Sequence, residues 1–309
     1  METNKLSPAL VIRSTGALYR LQLPEGEIIE ATLRGKLRLK DSKGTNPIAV
    51  GDKVLLDIEN EQYTIREILP RHNHILRKST RSHAQHQILA ANIDQLMLVL
   101  TIEQPHTPLY FIDNFLVAAE SYHIPTILLI NKIDLLKKEN RIEKSHQVIE
   151  TYTKIGYPVY PIVATDNQTV ELLKPLLQNK ITFISGLSGV GKSTLLNKLN
   201  PDLQLKTAPI AKGTQKGKHT TTFAEMHPLP FGGYLIDAPG YNEFQIIDIE
   251  VNEVAHYFPE FLKIMPNCQY NNCLHINEPN CAIKNAVEKG EISTSRYYNY
   301  LSIIQSLTT

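Results

Sequence analysis

The run Gly186-Leu187-Ser188-Gly189-Val190-Gly191-Lys192-Ser193 has the residue types and spacing that cradle a polyphosphate. Its glycines permit a tight curl whose backbone N–H groups converge on phosphate oxygens, and the helix that follows adds its positive end. Lys192 is expected to reach the β- and γ-phosphates and Ser193 to ligate magnesium. The contact set is Gly186, Ser188, Gly189, Val190, Gly191, Lys192, Ser193 and Thr194. A second run, Asn131-Lys132-Ile133-Asp134, suits a guanine base. The Asp134 carboxylate can accept from the N1–H and the 2-amino group together, a pair of donors that adenine lacks. A site built on such groups rejects a ligand that leaves them unpaired. Lys132 would lie along the base plane while Asn131 braces neighbouring loops.

Two further runs complete a hydrolysis switch. Asp237-Ala238-Pro239-Gly240 fits D-x-x-G, with Asp237 holding magnesium through water and the Gly240 N–H sensing the γ-phosphate. His219-Thr220-Thr221-Thr222 lies between it and the phosphate loop. One threonine should complete the magnesium shell; Thr221 is assigned, although the sequence does not fix the register. Val163-Ala164-Thr165 stands where the backbone N–H of Ala164 would meet guanine O6, with Val163 where a serine is commoner. Tyr241 takes the place of the glutamine that orients water in many GTPases, so intrinsic hydrolysis should be slow. His219 is the nearest residue in sequence that could help. The competing reading makes it an RNA or structural contact in a loop that also holds Lys212, Lys216 and Lys218. Ordinary GTPases meet the phosphate loop first, whereas here the base motif precedes it. That order is a circular permutation, and it runs the switch directly into the C-terminal segment.

Cys268, Cys273, His275 and Cys281 offer three thiolates and one imidazole within a short stretch, the ligand count of one closed, structural zinc site. A catalytic zinc would keep an open position. The chain has 3 cysteines in all, too clustered for a disulfide framework.

The elements that must position these residues fall into segments. Residues 1–70 read as five short β-prone runs broken by glycine-bearing turns, the pattern of an OB-type barrel. In its third run Arg34, Lys36, Arg38 and Lys40 alternate at period two and so share one strand face. That face is either simply solvated or a groove that tracks RNA phosphates. Residues 71–92 lack acidic side chains and carry Arg71, Arg77, Lys78 and Arg81 among histidines, a polar linker or a basic strap against nucleic acid. Residues 93–244 alternate buried strands with helices, the rhythm of a mostly parallel sheet covered on both faces. Residues 245–309 turn helical and bear the cysteines.

With 42% hydrophobic residues and net charge +1 over 309 residues, the chain has enough apolar material for real cores, and its global charge names no partner. No window reaches the roughly 18 apolar residues of a spanning helix, so a cytoplasmic protein with no membrane partner is expected. The motifs at 131–134, 186–193, 218–222 and 237–240, the triplets Ser14-Thr15-Gly16 and Arg34-Gly35-Lys36, and the four metal ligands together resemble the RsgA (YjeQ/YloQ) family. The resemblance covers nearly the whole chain. It implies an N-terminal OB-type barrel, a permuted P-loop GTPase and a mostly helical zinc domain. It also implies GTP hydrolysis stimulated by the 30S ribosomal subunit during its late maturation, contact with 16S rRNA, and a catalytic role for His219. A monomer is expected. The alternatives are an rRNA-binding placeholder that keeps GTP as a structural ligand, and a P-loop kinase, against which the N-K-x-D run counts.

Overall fold

In the computed structural model, which describes residues 7–15, 18–33, 47–59, 62–78, 86–138, 141–205, 224–237 and 249–308, the opening β-prone runs become strands with alternating inward residues. They are β1 (Ser7–Ser14), β2 (Tyr19–Gln22), β3 (Ile28–Leu33), β4 (Lys53–Glu59) and β5 (Gln62–Ile68). β1 pairs antiparallel with β2, and β2 with β3. β3 runs parallel to β5, β5 pairs antiparallel with β4, and β4 returns to β1. The circuit closes a five-stranded barrel filled by Val11, Tyr19, Leu21, Val54, Leu56 and Ile65.

Part of the expected basic linker is a hairpin. β6 (His74–Lys78) and β7 (His86–Ala91) pair antiparallel. The hairpin is also fastened to the barrel's corner. Arg71 forks onto the fully buried Asp52 with two bonds of 2.6 Å and donates to the Pro47 carbonyl at 2.7 Å. Asn92 donates to the Gly51 carbonyl at 2.9 Å. Gly51 has φ +91°, and a Cβ there would stand 2.0 Å from the Ala91 carbonyl, so only glycine allows this approach. Arg71, read as part of a nucleic-acid strap, is committed to Asp52 instead.

The chain continues through β8 (Gln95–Leu100), α1 (Leu109–Ser121), β9 (Thr126–Ile130), α2 (Ile133–Lys138), α3 (Glu143–Ile155), β10 (Val159–Pro161), α4 (Asn167–Leu177), β11 (Ile181–Ser185) and α5 (Lys192–Leu199). β12 (Glu225–Pro228), β13 (Tyr234–Asp237), α6 (Pro259–Leu262), α7 (Ala282–Glu288) and α8 (Thr294–Thr308) follow. Among the described residues no helix is long and apolar enough to cross a membrane.

Contacts divide the chain into two units: residues 1–97 with 164–244, and residues 98–163 with 245–309. In the first, β11 lies parallel to β13, which pairs antiparallel with β12, and β12 pairs antiparallel with barrel strand β1. In the second, the fully buried β9 runs parallel to β10. A core of Val117, Phe258, Phe261, Ile283, Tyr300 and Ile303 joins α1 to the C-terminal helices.

Candidate nucleotide site and metal centre

The phosphate loop leaves the C-terminal end of β11 and enters α5, the position at which an open α/β sheet presents its ligand site. Gly186, Gly189 and Gly191 all have positive φ (147°, 82° and 104°), so the curl is one that other residues rarely adopt. Ser193 and Thr194 stand half-buried in the first turn of α5. The ammonium of Lys192 sits inside the curl, donating to the carbonyls of Gly186 (2.6 Å) and Leu187 (3.0 Å). Burial lowers its pKa, with the charge of Asp237 acting the other way.

Asp237 ends β13, and Ile184 of β11 is its register partner, so the two strand ends bring it beside the phosphate loop. Burial raises its carboxyl to about 6 against the charge of Lys192. A carboxylate raised by burial is one that a nearby cation would favour in its charged form.

The base-reading run belongs to the second unit. It follows the buried strand β9, as the sequence predicts. Asn131 is buried and its N–H donates to the Leu100 carbonyl at 2.8 Å. Lys132 adopts a left-handed φ of 63°, and Asp134 lies in the first turn of α2. Ala164 is buried in the turn between β10 and α4.

The candidate metal centre also belongs to the second unit. One ligand atom from each of Cys268, Cys273, His275 and Cys281 lies within 4.8 Å of the others. His275 Nδ1 stands 3.6 Å from Cys268 Sγ and 3.4 Å from Cys281 Sγ. Tetrahedral zinc with bonds of about 2.3 Å to sulfur and 2.0–2.1 Å to nitrogen would separate such atoms by about 3.6 Å. The residues therefore fit the ion, with Nδ1 as the imidazole ligand. Burial lowers the His275 pKa, keeping the ring in the neutral form that a ligand requires, and pushes the Cys273 thiol up to about 12. Such thiols need a cation nearby to become thiolates. The ligand loop is braced by Glu278, whose carboxylate accepts the N–H groups of Leu274, Ile276 and Asn277 at 2.7–3.0 Å. Tyr297 and Tyr300 of α8 donate to the carbonyls of His275 and Leu274.

Glu278 and the two tyrosines were not among the site residues expected from sequence. A carboxylate between the third and fourth ligands is the one signal that could have flagged Glu278. His219, Thr221, Gly240, Arg34, Lys36, Arg38, Lys40 and Arg81 lie outside the described residues. Arg77 and Lys78 fall on β6, with only their backbone described.

The model of the RsgA GTPase family matches residues 68–247, and that of the RsgA N-terminal domain matches residues 10–65. A Bacteroides fragilis protein named small ribosomal subunit biogenesis GTPase RsgA is 46% identical over 96% of both chains. Its namesake from Flavobacterium johnsoniae is 46% identical over 96% of this chain and 92% of its own. The crystal structure of YjeQ from Thermotoga maritima matches with a TM-score of 0.79 and 37% identity, covering 98% of this chain and 99% of that one. YloQ, described as a circularly permuted GTPase, matches with a TM-score of 0.76 and 28% identity over 100% and 97%.

Proposed function

The chain belongs to the RsgA GTPase family and is a GTP hydrolase with a circularly permuted core, and we propose that it binds the small (30S) ribosomal subunit and assists its late maturation. The relatives' names support the partner. The observation that carries the chemistry is the phosphate loop itself, with Lys192 held inside its curl and Asp237 on the adjacent parallel strand. Nucleotide-dependent co-sedimentation with purified 30S subunits tests the partner; equal pelleting with GTP, GDP and no nucleotide would oppose a GTP-timed cycle.

In this reading Lys192 leaves the loop carbonyls for the β- and γ-phosphates, and the N–H groups of the loop and of the first turn of α5 take the remaining oxygens. Ser193, Thr221 and Asp237 are the residues that would hold magnesium, which when bound neutralises charge on the phosphate oxygens. Asn131, Lys132 and Asp134 select guanine, and Ala164 offers its N–H to the base. The Gly240 N–H senses the γ-phosphate. Because Tyr241 cannot position water as a glutamine amide does, turnover waits for the subunit. His219 then orients the water, and GDP and phosphate are the products. Full recovery of a His219→Ala variant at saturating subunit would make His219 a binding residue instead.

The barrel (1–70) and the basic segment (71–92) supply the contact to 16S rRNA phosphates, through Arg34, Lys36, Arg38, Lys40, Arg77, Lys78 and Arg81. The permuted GTPase (93–244) and a tail (245–309) holding one structural zinc complete a cytoplasmic monomer. Replacing Arg34, Lys36 and Arg38 with alanine should flatten the salt dependence of subunit binding; an unchanged slope would remove that face from the interface.

A further inference from the structure

Lys132 is held by a loop that none of the sequence motifs contains. Its ammonium donates to the Gln104 carbonyl at 2.6 Å. Both residues are left-handed, with φ of 63° and 60°. Residues other than glycine persist in that conformation where surrounding contacts enforce it.

Those contacts are polar. The Thr107 N–H donates to the Thr101 carbonyl (3.0 Å), the Thr101 N–H to Thr107 Oγ1 (3.1 Å), and Thr101 Oγ1 to the Pro105 carbonyl (2.5 Å). Glu103, next to Gln104, is gripped from the α3 side by Arg141 at 2.9 Å and Lys144 at 2.6 Å. These two bonds hold its carboxyl below the usual carboxylate range. The loop lines a cavity of about 450 Å³ whose wall includes Glu103, Gln104, Leu109, Ile112, Lys144 and Val148. A loop backed by open volume gains little from packing and depends on its polar links.

We infer that Glu103 is a positioning residue for Lys132: tied to Arg141 and Lys144, it fixes the Gln104 carbonyl that aims the base-reading ammonium. The inference rests on the reading of residues 131–134 as the base motif. The geometry makes α3 part of the guanine site, although no residue of α3 belongs to that motif. Loosening the grip should therefore shorten the lifetime of bound guanine nucleotide.

The test times release of a fluorescent GDP analogue from the full chain for Lys132→Ala, Glu103→Ala, Glu103→Gln and the double variant Lys132→Ala/Glu103→Ala, with the melting temperature of each. Lys132→Ala should speed release about tenfold, the scale of a hydrogen bond to a charged group, and Glu103→Ala about threefold, the scale of solvent-exposed ion pairs. Glu103→Gln should have a smaller effect, and it serves the same comparison if the alanine variant fails to fold. The double variant should release no faster than Lys132→Ala, because Glu103 acts through the lysine. Multiplied effects in the double variant, or a lowered melting temperature with unchanged release, overturn the inference. If Lys132→Ala accelerates release and both Glu103 variants do not, the base reading stands and the inference alone falls. If Lys132→Ala changes nothing, the base reading fails and takes the inference with it.

Discussion

Asp113 of α1 and Arg296 of α8, 183 residues apart, meet at 2.7 Å with both side chains almost fully buried. Arg296 also forks onto Glu260 of α6 at 2.7 and 3.0 Å and stacks 4.4 Å from the centroid of Phe258. Asp113 accepts further bonds from Tyr152 of α3 (2.6 Å) and Asn299 of α8 (2.5 Å). The cluster fastens the cysteine-bearing tail to α1 and α3. Since α8 also bonds the loop carrying His275 through Tyr297 and Tyr300, one helix holds both the buried ion pair and that loop.

Removing one partner of such a pair strands a buried charge. Arg296→Met should cost about 3–5 kcal/mol in denaturant unfolding, and Arg296→Met with Asp113→Leu should cost less than the sum of the two single variants. Losses that simply add would mean that the two side chains contribute independently.

The thiol–imidazole cluster should carry about one zinc per purified chain. Cys273→Ser should lower metal content and unfold the tail at lower temperature while GTP binding is largely kept. A metal-free protein whose tail melts unchanged would contradict the assignment.

In the proposed function Asp134 sets the base preference. Asp134→Asn should weaken GTP binding and favour xanthine nucleotides, whose extra carbonyl suits the new amide. Competition binding checks this, and equal wild-type affinity for ATP and GTP would rule out guanine reading.

Burial raises Asp237 to about 6, whereas an unfolded aspartate titrates near 3.9, about the reference value. The nucleotide-free fold therefore binds a proton there that the unfolded chain has already lost. The stability this supplies is full below about pH 4 and is lost as pH rises through about 6. Measured against Asp237→Asn, the metal-free and nucleotide-free wild type should gain melting temperature between about pH 7 and pH 5. A difference that stays flat across that window would mean the carboxyl is not strained by burial.

How legible the fold was depended on how local its causes are. β9, β11 and α5 fall within the segment whose alternating apolar runs and glycines predict strands and helices. β12, Glu-Met-His-Pro, carries no alternation of its own and exists because β13 and β1 flank it. The hairpin β6–β7 was hidden by its basic composition, although Ile75 and Ala90 are fully buried. The phosphate loop, base motif and metal ligands were readable because each is a short run with fixed spacing. The Asp113–Arg296 pair and the Glu103–Gln104–Lys132 support were not, because each joins residues that only the fold brings together.

If the small subunit drives this GTPase as proposed, multiple-turnover phosphate release from GTP with and without purified 30S subunits, alongside Lys192→Ala, reads it out. Slow release by the free protein, a large acceleration by the subunit and no turnover by Lys192→Ala are the predicted results. Release that the subunit leaves unchanged would mean that the subunit does not drive turnover, and release that survives in Lys192→Ala would remove the phosphate loop from the reaction.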